Sequence, residues 1–425
     1  MRSRPPRRLR VDRPWAAPLL YAGLAIAMGF RGPELGSEIF GTAVARMSAD
    51  SAIALLASIA TGMMALTGIV FSLVFVALQF GTSSYGPRLG DELGSQRFLS
   101  HALGVFSGTF LYSSFAIRSV DMEGFTGIPL PAVVIAFLWL AASVVMLVLL
   151  VPMLQGLAMA SVLDRLGRVA MEDTRTLFPR LAEQVPRRPG PPDPRRTPTQ
   201  ALLHHGPLRY LVALDEKALV RLASRHSAIV RVPHALGDPV FPGETLVEVL
   251  GGSSPIPARL LRHAIVLSKR RTIDYNPMYV LRLLSDIAIR ALSPAVNDPT
   301  TAVMALDESQ SILQALGQSD LEVGLVSDDG GALRLEYQTT TWEDAVAVSL
   351  SEILQYGSSS PQVQRRLGSL LRDLLDALPE VRHAALRRVE ERRAVAIESS
   401  FPTDAQRTEA EAIDRQGLGH REVSP

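Results

Sequence analysis

The chain has 425 residues, with 43 basic against 42 acidic side chains and a net charge of +1. That balance gives no general electrostatic attraction to nucleic acid, which needs a basic excess to displace counterions, so no nucleic-acid partner is expected. Cysteine is absent, which excludes disulfides, thiolate nucleophiles, iron–sulfur clusters and cysteine-ligated zinc. Mean hydropathy is +0.19 and 47% of residues are apolar, but the long apolar runs fall almost entirely between residues 14 and 154. The rest has the charge density of a water-soluble domain, and the length suits two or three units.

The predicted plan is an α-helical membrane protein with four transmembrane helices, followed by a cytoplasmic α+β domain. A hydrocarbon core of about 30 Å takes about 20 helical residues. Four segments qualify, at about 14–30, 52–80, 98–119 and 131–154, within a transmembrane domain over 14–154. The second would run about 43 Å as a helix and should tilt or project. Before the first span, residues 1–13 form a basic segment with Arg2, Arg4, Arg7, Arg8, Arg10 and Arg13. After the fourth come Arg165, Arg168, Arg175 and Arg180. Basic residues beside helix ends are retained in the cytoplasm, so both ends are expected there. The loops on the other side carry Glu34, Glu38 and Asp50 against Arg31 and Arg46, and then Asp121 and Glu123 with no base. No cleaved signal peptide is expected, because the first apolar run leads into further spans.

The second span carries small or polar residues along one face: Ser58, Thr61, Ala65, Gly68, Ser72 and Gln79. Such a face is not built for lipid. It suits close helix packing through small residues or the lining of a polar path, with packing favoured. The third span has Gly104 and Gly108 in a GxxxG pair, again a packing signal. Arg118 lies close enough to its helix end to snorkel. Four spans make a thin bundle, so a homo-oligomer in the lipid bilayer is expected.

Residues 155–199 are predicted to form an amphipathic helix followed by the proline and arginine linker PRRPGPPDPRRTPT, 186–199, which has little to bury. The α+β domain is placed at 200–398. Its expected elements begin with a strand at 208–214, a helix at 216–225 and a strand at 229–233. The turn pattern around Gly237 and Gly243 leads into a strand at 245–250. Two helices start with the same signal: Asn276 before Pro277 and Asp298 before Pro299, each a capping side chain ahead of a proline in the first turn. A hairpin turning at 328–331 and helices at 342–356, 361–377 and 379–397 complete the domain. Residues 399–425 lack apolar periodicity and are expected to be a disordered tail.

The stretch DIAIRALSPAVNDPTTAV, Asp286 to Val303, resembles the hallmark of the "domain of unknown function 2254" family of predicted bacterial membrane proteins. TGMMALTGIVFSLVFVALQFGTSSYGPR in the second span, GVFSGTFLYS in the third and ILQYGSSSP near Tyr356 match the same pattern in order. The resemblance implies an integral protein of the bacterial cytoplasmic (inner) membrane, with four spans and a soluble domain. It supplies no established activity, so no catalytic residue and no cofactor follow from it. The positions matching its motif are Arg271, Asp274, Asp286, Arg290, Ser293, Pro294, Asn297, Asp298, Pro299 and Thr301.

Many of these polar residues crowd one turn between two helices. The plain reading is structural, with Asp298 a cap and Asp286 paired to arginines at helical spacing. The functional reading is a small anionic or nucleotide-like ligand held at a helix N-terminus by Arg271, Asp274, Asp286, Arg290, Ser293, Asn297, Asp298 and Thr301, since such termini attract anions, or self-association through the same turn. There is no GxxxxGK[ST] loop, no GxGxxG, no GxSxG elbow and no HExxH, the common enzyme signatures. A metal site would need scattered residues such as His226, His234, His263 and Asp274, and none is predicted. The leading expectation is an oligomeric channel-like or transport protein with a regulatory domain. A membrane-anchored sensor or scaffold is the second, and a membrane-bound enzyme the third.

Overall fold

The structure, a computed structural model, describes residues 15–40, 47–85, 96–120, 130–155, 158–181 and 197–415. The chain divides between Ser161 and Val162 into two compact units. The basic segment at 1–13 and most of the proline and arginine linker fall outside the described residues.

The first unit is helical. Its described helices are α1 (Ala16–Phe40), α2 (Ala49–Tyr85), α3 (Gln96–Val120) and α4 (Leu130–Gln155). Two of them contain stretches long and apolar enough to cross a membrane, Ala49–Val76 and Leu130–Pro152, and α1 has a shorter apolar stretch, Ala16–Phe30. α1 continues past its apolar part to Phe40 and carries Arg31, Glu34 and Glu38 in that extension, beyond the expected end at residue 30.

The hydropathy of α3 is low for a reason visible in its packing. It is the helix on which α1, α2 and α4 all pack, and its polar groups are matched across helix interfaces. Thr109 Oγ1 and Ser143 Oγ on α4 share a hydrogen bond of 2.8 Å. Tyr112 donates to the Ala132 carbonyl at 3.0 Å, and Ser119 donates to the Gly29 carbonyl at 2.9 Å. In apolar surroundings such bonds contribute about 0.6 kcal/mol each and up to about 1.7.

The perimeter of this unit is apolar. Leu19, Leu20, Phe71, Leu73, Leu138, Val145 and Val148 are all exposed. A water-soluble surface rarely exposes so many large apolar side chains.

The second unit opens with most of α5 (Met159–Leu177), the predicted amphipathic helix. It buries Val162, Leu163, Leu166 and Ala170 on one face. Gly167 lies so close to Glu308 that a side chain there would collide with its carboxylate. The chain leaving α5 is then tied down by hydrogen bonds from Leu181 N–H to the Gln318 carbonyl and from Asp320 N–H to the Pro179 carbonyl.

A sheet of order β1-β5-β3-β8-β7 forms one layer, with strands β1 (Gln200–Leu203), β3 (Ala228–Ala235), β5 (Thr245–Gly251), β7 (Leu325–Ser327) and β8 (Leu333–Gln338). All its pairings are antiparallel except β3 with β8. A smaller sheet, β4-β2-β6, holds β2 (Arg209–Leu214), β4 (Pro239–Val240) and β6 (Ile265–Ser268). The chain passes between the sheets at Gly237 and Gly243, whose φ values of +93° and +87° require a residue without a Cβ. The helix α6 (Glu216–Arg225) buries Leu219 and Ala223 in the core, and α7 (Ala258–His263) precedes β6. Strands β1 and β6 are additions to the sequence reading. Thr199 opens β1 by donating from its N–H to the Val249 carbonyl at 2.8 Å, within the segment expected to be linker.

The remaining layer is helical: α8 (Pro277–Ala291), α9 (Pro299–Gly317), α10 (Trp342–Val346), a π-helical turn at Ala347–Ser351, α11 (Glu352–Tyr356), α12 (Pro361–Ala377), α13 (His383–Ser400) and α14 (Asp404–Glu411). The last helix corrects the expectation of a disordered tail from residue 399, as far as Arg415. Thr403 and Gln406 make a reciprocal capping box, which starts the helix. Phe401 and Ala410 are buried against Ile397. These apolar contacts and the cap are too sparse to produce a visible period in the sequence. Residues 416–425 of the expected tail lie outside the described residues.

Candidate functional site

The α8–α9 turn is built from the capping chemistry its sequence announces. Asp298 accepts a hydrogen bond from the Thr301 N–H at 3.1 Å and another from the Thr301 hydroxyl at 2.5 Å. Ser293 donates to the Arg290 carbonyl at 2.7 Å, closing the end of α8. Asn297 takes a φ of +48°, a left-handed conformation that Asn tolerates better than most residues, and Asp298 N–H returns to the Ala291 carbonyl at 2.8 Å. The polar groups of the turn are therefore largely spent on the turn itself. Arg290 is exposed and has no ion-pair partner among the described residues.

Asp286 belongs to a different structure. Arg282 pairs with it at 2.5 Å and grips both carboxylate oxygens of Glu352 on α11. One helical turn away, the buried Ser285 donates to the Val348 carbonyl at 2.6 Å, inside the π-helical turn. Widened turns leave carbonyls displaced from the regular ladder, and Ser285 supplies a donor for one of them. Ser285 thus fastens α8 to the π-turn, and Arg282, paired with Asp286, fastens it to α11.

Arg271 and Asp274 do not join the turn. The Arg271 guanidinium donates to the Gly237 carbonyl at 2.9 Å and lies 5.0 Å from the centre of the Tyr210 ring. Gly237 in turn abuts Asn276, which caps the first turn of α8 by accepting from Tyr279 N–H at 2.9 Å. Most of α8, Pro277 to Ile289, about 20 Å at 1.5 Å per residue, separates that end from Arg290. The eight residues expected at one site are therefore divided between the two ends and the flank of a single helix.

At the first end of α8 lies a cavity of about 170 Å³. Val212, Leu214, Leu236, Met278 and Leu316 give it apolar walls, and α5 contributes Leu177 with Phe178 beyond its end. Lys217, Gln338, Thr339 and Thr340 add polar groups. Lys217, one of only two lysines in the chain, is exposed and has no hydrogen-bond or ion-pair partner among the described residues. Its neighbour Glu216 accepts from the half-buried Tyr337 hydroxyl at 2.7 Å. Burial, with Glu216 close by, pushes the Tyr337 hydroxyl's pKa upward, so it remains a donor.

Asp173 on α5 supports the same end of α8. It accepts from Tyr275 N–H at 2.6 Å, and Tyr275 itself has a φ of +60°, an unusual conformation for a bulky residue. Burial, with Asp274 and Glu172 nearby, raises the Asp173 carboxyl to about 7 against the pull of the Tyr275 and Asn276 N–H groups. A raised acid binds its proton more tightly in the folded state, so its contribution is complete below the unfolded value of about 3.9 and is lost as pH rises to about 7. Wild-type thermal stability is expected to fall between pH 4.5 and 7 relative to Asp173→Asn, which keeps an oxygen acceptor for Tyr275. Parallel melting profiles for the two proteins across that range would contradict this assignment.

In the helical unit, Ser58, Thr61, Ala65, Gly68 and Ser72 all face outward from the bundle. The buried face of α2 is instead Ala52, Leu56, Ile59, Met63, Val70 and Val74. Nothing lies within 4 Å of the position a Gly68 side chain would take, and the Ser58 hydroxyl donates to the Ala54 carbonyl of its own helix at 2.8 Å. The Gln79 side chain lies outside the described residues. Gly104 and Gly108 sit inside the bundle: a side chain at the first would strike the Tyr21 ring, and one at the second would lie 2.7 Å from Trp139. Among the described residues no three His, Asp or Glu side chains gather as a metal site would need.

The cavity and the Asp173 contact lacked a sequence signal, because their residues come from segments 176 to 340 with no common spacing.

An apolar helical unit joined to an α+β unit defines a membrane-protein class. The chain matches the family described as "Predicted membrane protein (DUF2254)" over residues 12–373, and it belongs to that family. It is similar to uncharacterized proteins of Mycobacterium bovis and Mycobacterium tuberculosis, each 27% identical over 317 residues, covering 72% of this chain and 60% of theirs. The chain thus spans about 60% of the length of these relatives. No solved structure matches it.

Proposed function

We propose that this is an oligomeric channel-like or transport protein of the bacterial cytoplasmic membrane. All four apolar helices cross the bilayer, both flanks of the bundle lie in the cytoplasm, and the α+β unit regulates a path lined by α2. The observation that carries this reading is the outward position of Ser58, Thr61, Ala65, Gly68 and Ser72. In a lipid-facing helix these positions would be filled with larger apolar side chains, as Leu73, Phe71 and Met64 are on the same helix. Small and hydroxyl-bearing residues on an outer face are suited to meeting a second copy or water.

The absence of cysteine makes the test direct. Single cysteines at Ser58, Thr61 and Ser72 are expected to react with a water-soluble, membrane-impermeant thiol reagent in reconstituted vesicles, and cysteines at Met64 and Leu73 are expected not to. Uniform lack of reaction would mean a dry packing face. The cavity beside α8 favours a second reading, a membrane-anchored sensor in which the helices only locate the α+β unit.

A further inference from the structure

The cavity at the first end of α8 has the composition of a binding site for a small organic anion. Its volume of about 170 Å³ is close to the roughly 150 Å³ of an apolar protein cavity that accepts benzene. Val212, Leu236, Met278 and Leu316 supply walls that gain by covering an apolar body. A purely apolar ligand would leave the polar rim unused.

The rim carries one charged group of each sign, Glu216 and Lys217. Glu216 is engaged by the Tyr337 hydroxyl, while Lys217 beside it has no partner among the described residues and is free to meet an incoming anion. Thr339 and Thr340 line the same cavity and offer hydroxyl donors without adding charge. An ammonium on a four-carbon stem can follow the edge of an apolar wall and keep its head at the mouth.

We propose that the cavity binds a carboxylate whose apolar body is about the size of one aromatic ring, with the body among Leu236, Met278 and Leu316 and the carboxylate paired to Lys217. The site does not depend on the role given to α2. It has a structural consequence of its own, because Leu177 and Phe178 at the end of α5 and Tyr275 before α8 form part of its wall. A ligand there fixes the segment that Asp173 also holds, so occupancy stiffens the α5–α8 junction.

Calorimetric titration of the full chain in lipid nanodiscs with phenylacetate tests this, with phenylacetamide as the uncharged counterpart. Phenylacetate is expected to bind, phenylacetamide to bind at least tenfold more weakly, and Lys217→Gln to remove that preference. Met278→Trp, which fills the cavity from the first turn of α8, is expected to abolish binding of both compounds. Hydrogen exchange at 173–181 and 275–280 should slow on addition of phenylacetate to the wild type and stay unchanged in Met278→Trp. No binding to the wild type would overturn the proposal. So would binding that survives Met278→Trp, or that is lost with the cavity but indifferent to Lys217.

Discussion

Trp342→Ala is expected to destabilise the α+β unit by about 3 to 5 kcal/mol, the usual cost of truncating a fully buried tryptophan. Trp342 opens α10 and is 2% exposed. Its indole N–H donates to the Arg382 carbonyl at 2.8 Å, and the Arg382 guanidinium lies 5.6 Å from its ring centre. Arg382 in turn donates to the Ser319 carbonyl at 2.9 Å, so one side chain holds α10, the end of α9 and the start of α13 together. Domains of this size have about 5 to 15 kcal/mol in total, so the substitution should remove a large share. Trp342→Phe, which keeps most of the packing and loses the N–H bond, should cost about half as much. Urea denaturation followed by circular dichroism would show both, and equal stability of Trp342→Ala and wild type would refute the placement.

Arg393→Met is expected to release the C-terminal helix α14. The guanidinium is nearly fully buried and is spent on backbone carbonyls: Gln364 at 2.8 Å and Ala410 at 2.9 Å. Burial lowers its pKa, with Glu390 and Glu411 acting in the opposite sense. Gly368 makes room for it, since a side chain there would come within 2.9 Å of the guanidinium carbon. Removing the donor leaves these carbonyls without their partner, at about 1 to 3 kcal/mol for each buried group left unsatisfied. The readout is proteolysis after Phe401 and fast hydrogen exchange over 404–411, with the rest of the unit protected. Unchanged protection of that helix would show that Phe401 and Ala410 hold it unaided.

The features that were legible in the sequence are those whose cause is local. Asn276 and Asp298 announced the starts of α8 and α9 because a cap and its proline are adjacent in the chain. The apolar runs of α2 and α4 were equally plain, because bilayer thickness sets their length. α3 was also found as a helix, but its hydropathy is diluted by Thr109, Tyr112 and Ser119, whose partners lie on other helices.

The long-range features were hidden. Strands β1 and β6 have four residues each, too few to show alternation, and they exist because β5 and β2 offer them edges. Asp286, Arg290 and Asp298 were legible as a cluster in sequence, yet α8 separates them from Arg271 in space. The cavity required seven separate segments to meet. Sequence spacing reports neighbours along a helix, whereas a site is made by neighbours across elements.

The proposed function has α2 lining a conducting path. Ion and small-solute flux into proteoliposomes holding the purified chain tests it most directly, with the Thr61→Trp, Ser72→Trp double variant as the control. Both positions face away from the bundle core, so the substitutions should leave the monomer folded. Wild-type flux above that of empty vesicles, reduced at least tenfold by the double variant, is the predicted result. Flux equal to that of empty vesicles across a broad panel of ions and solutes would contradict it.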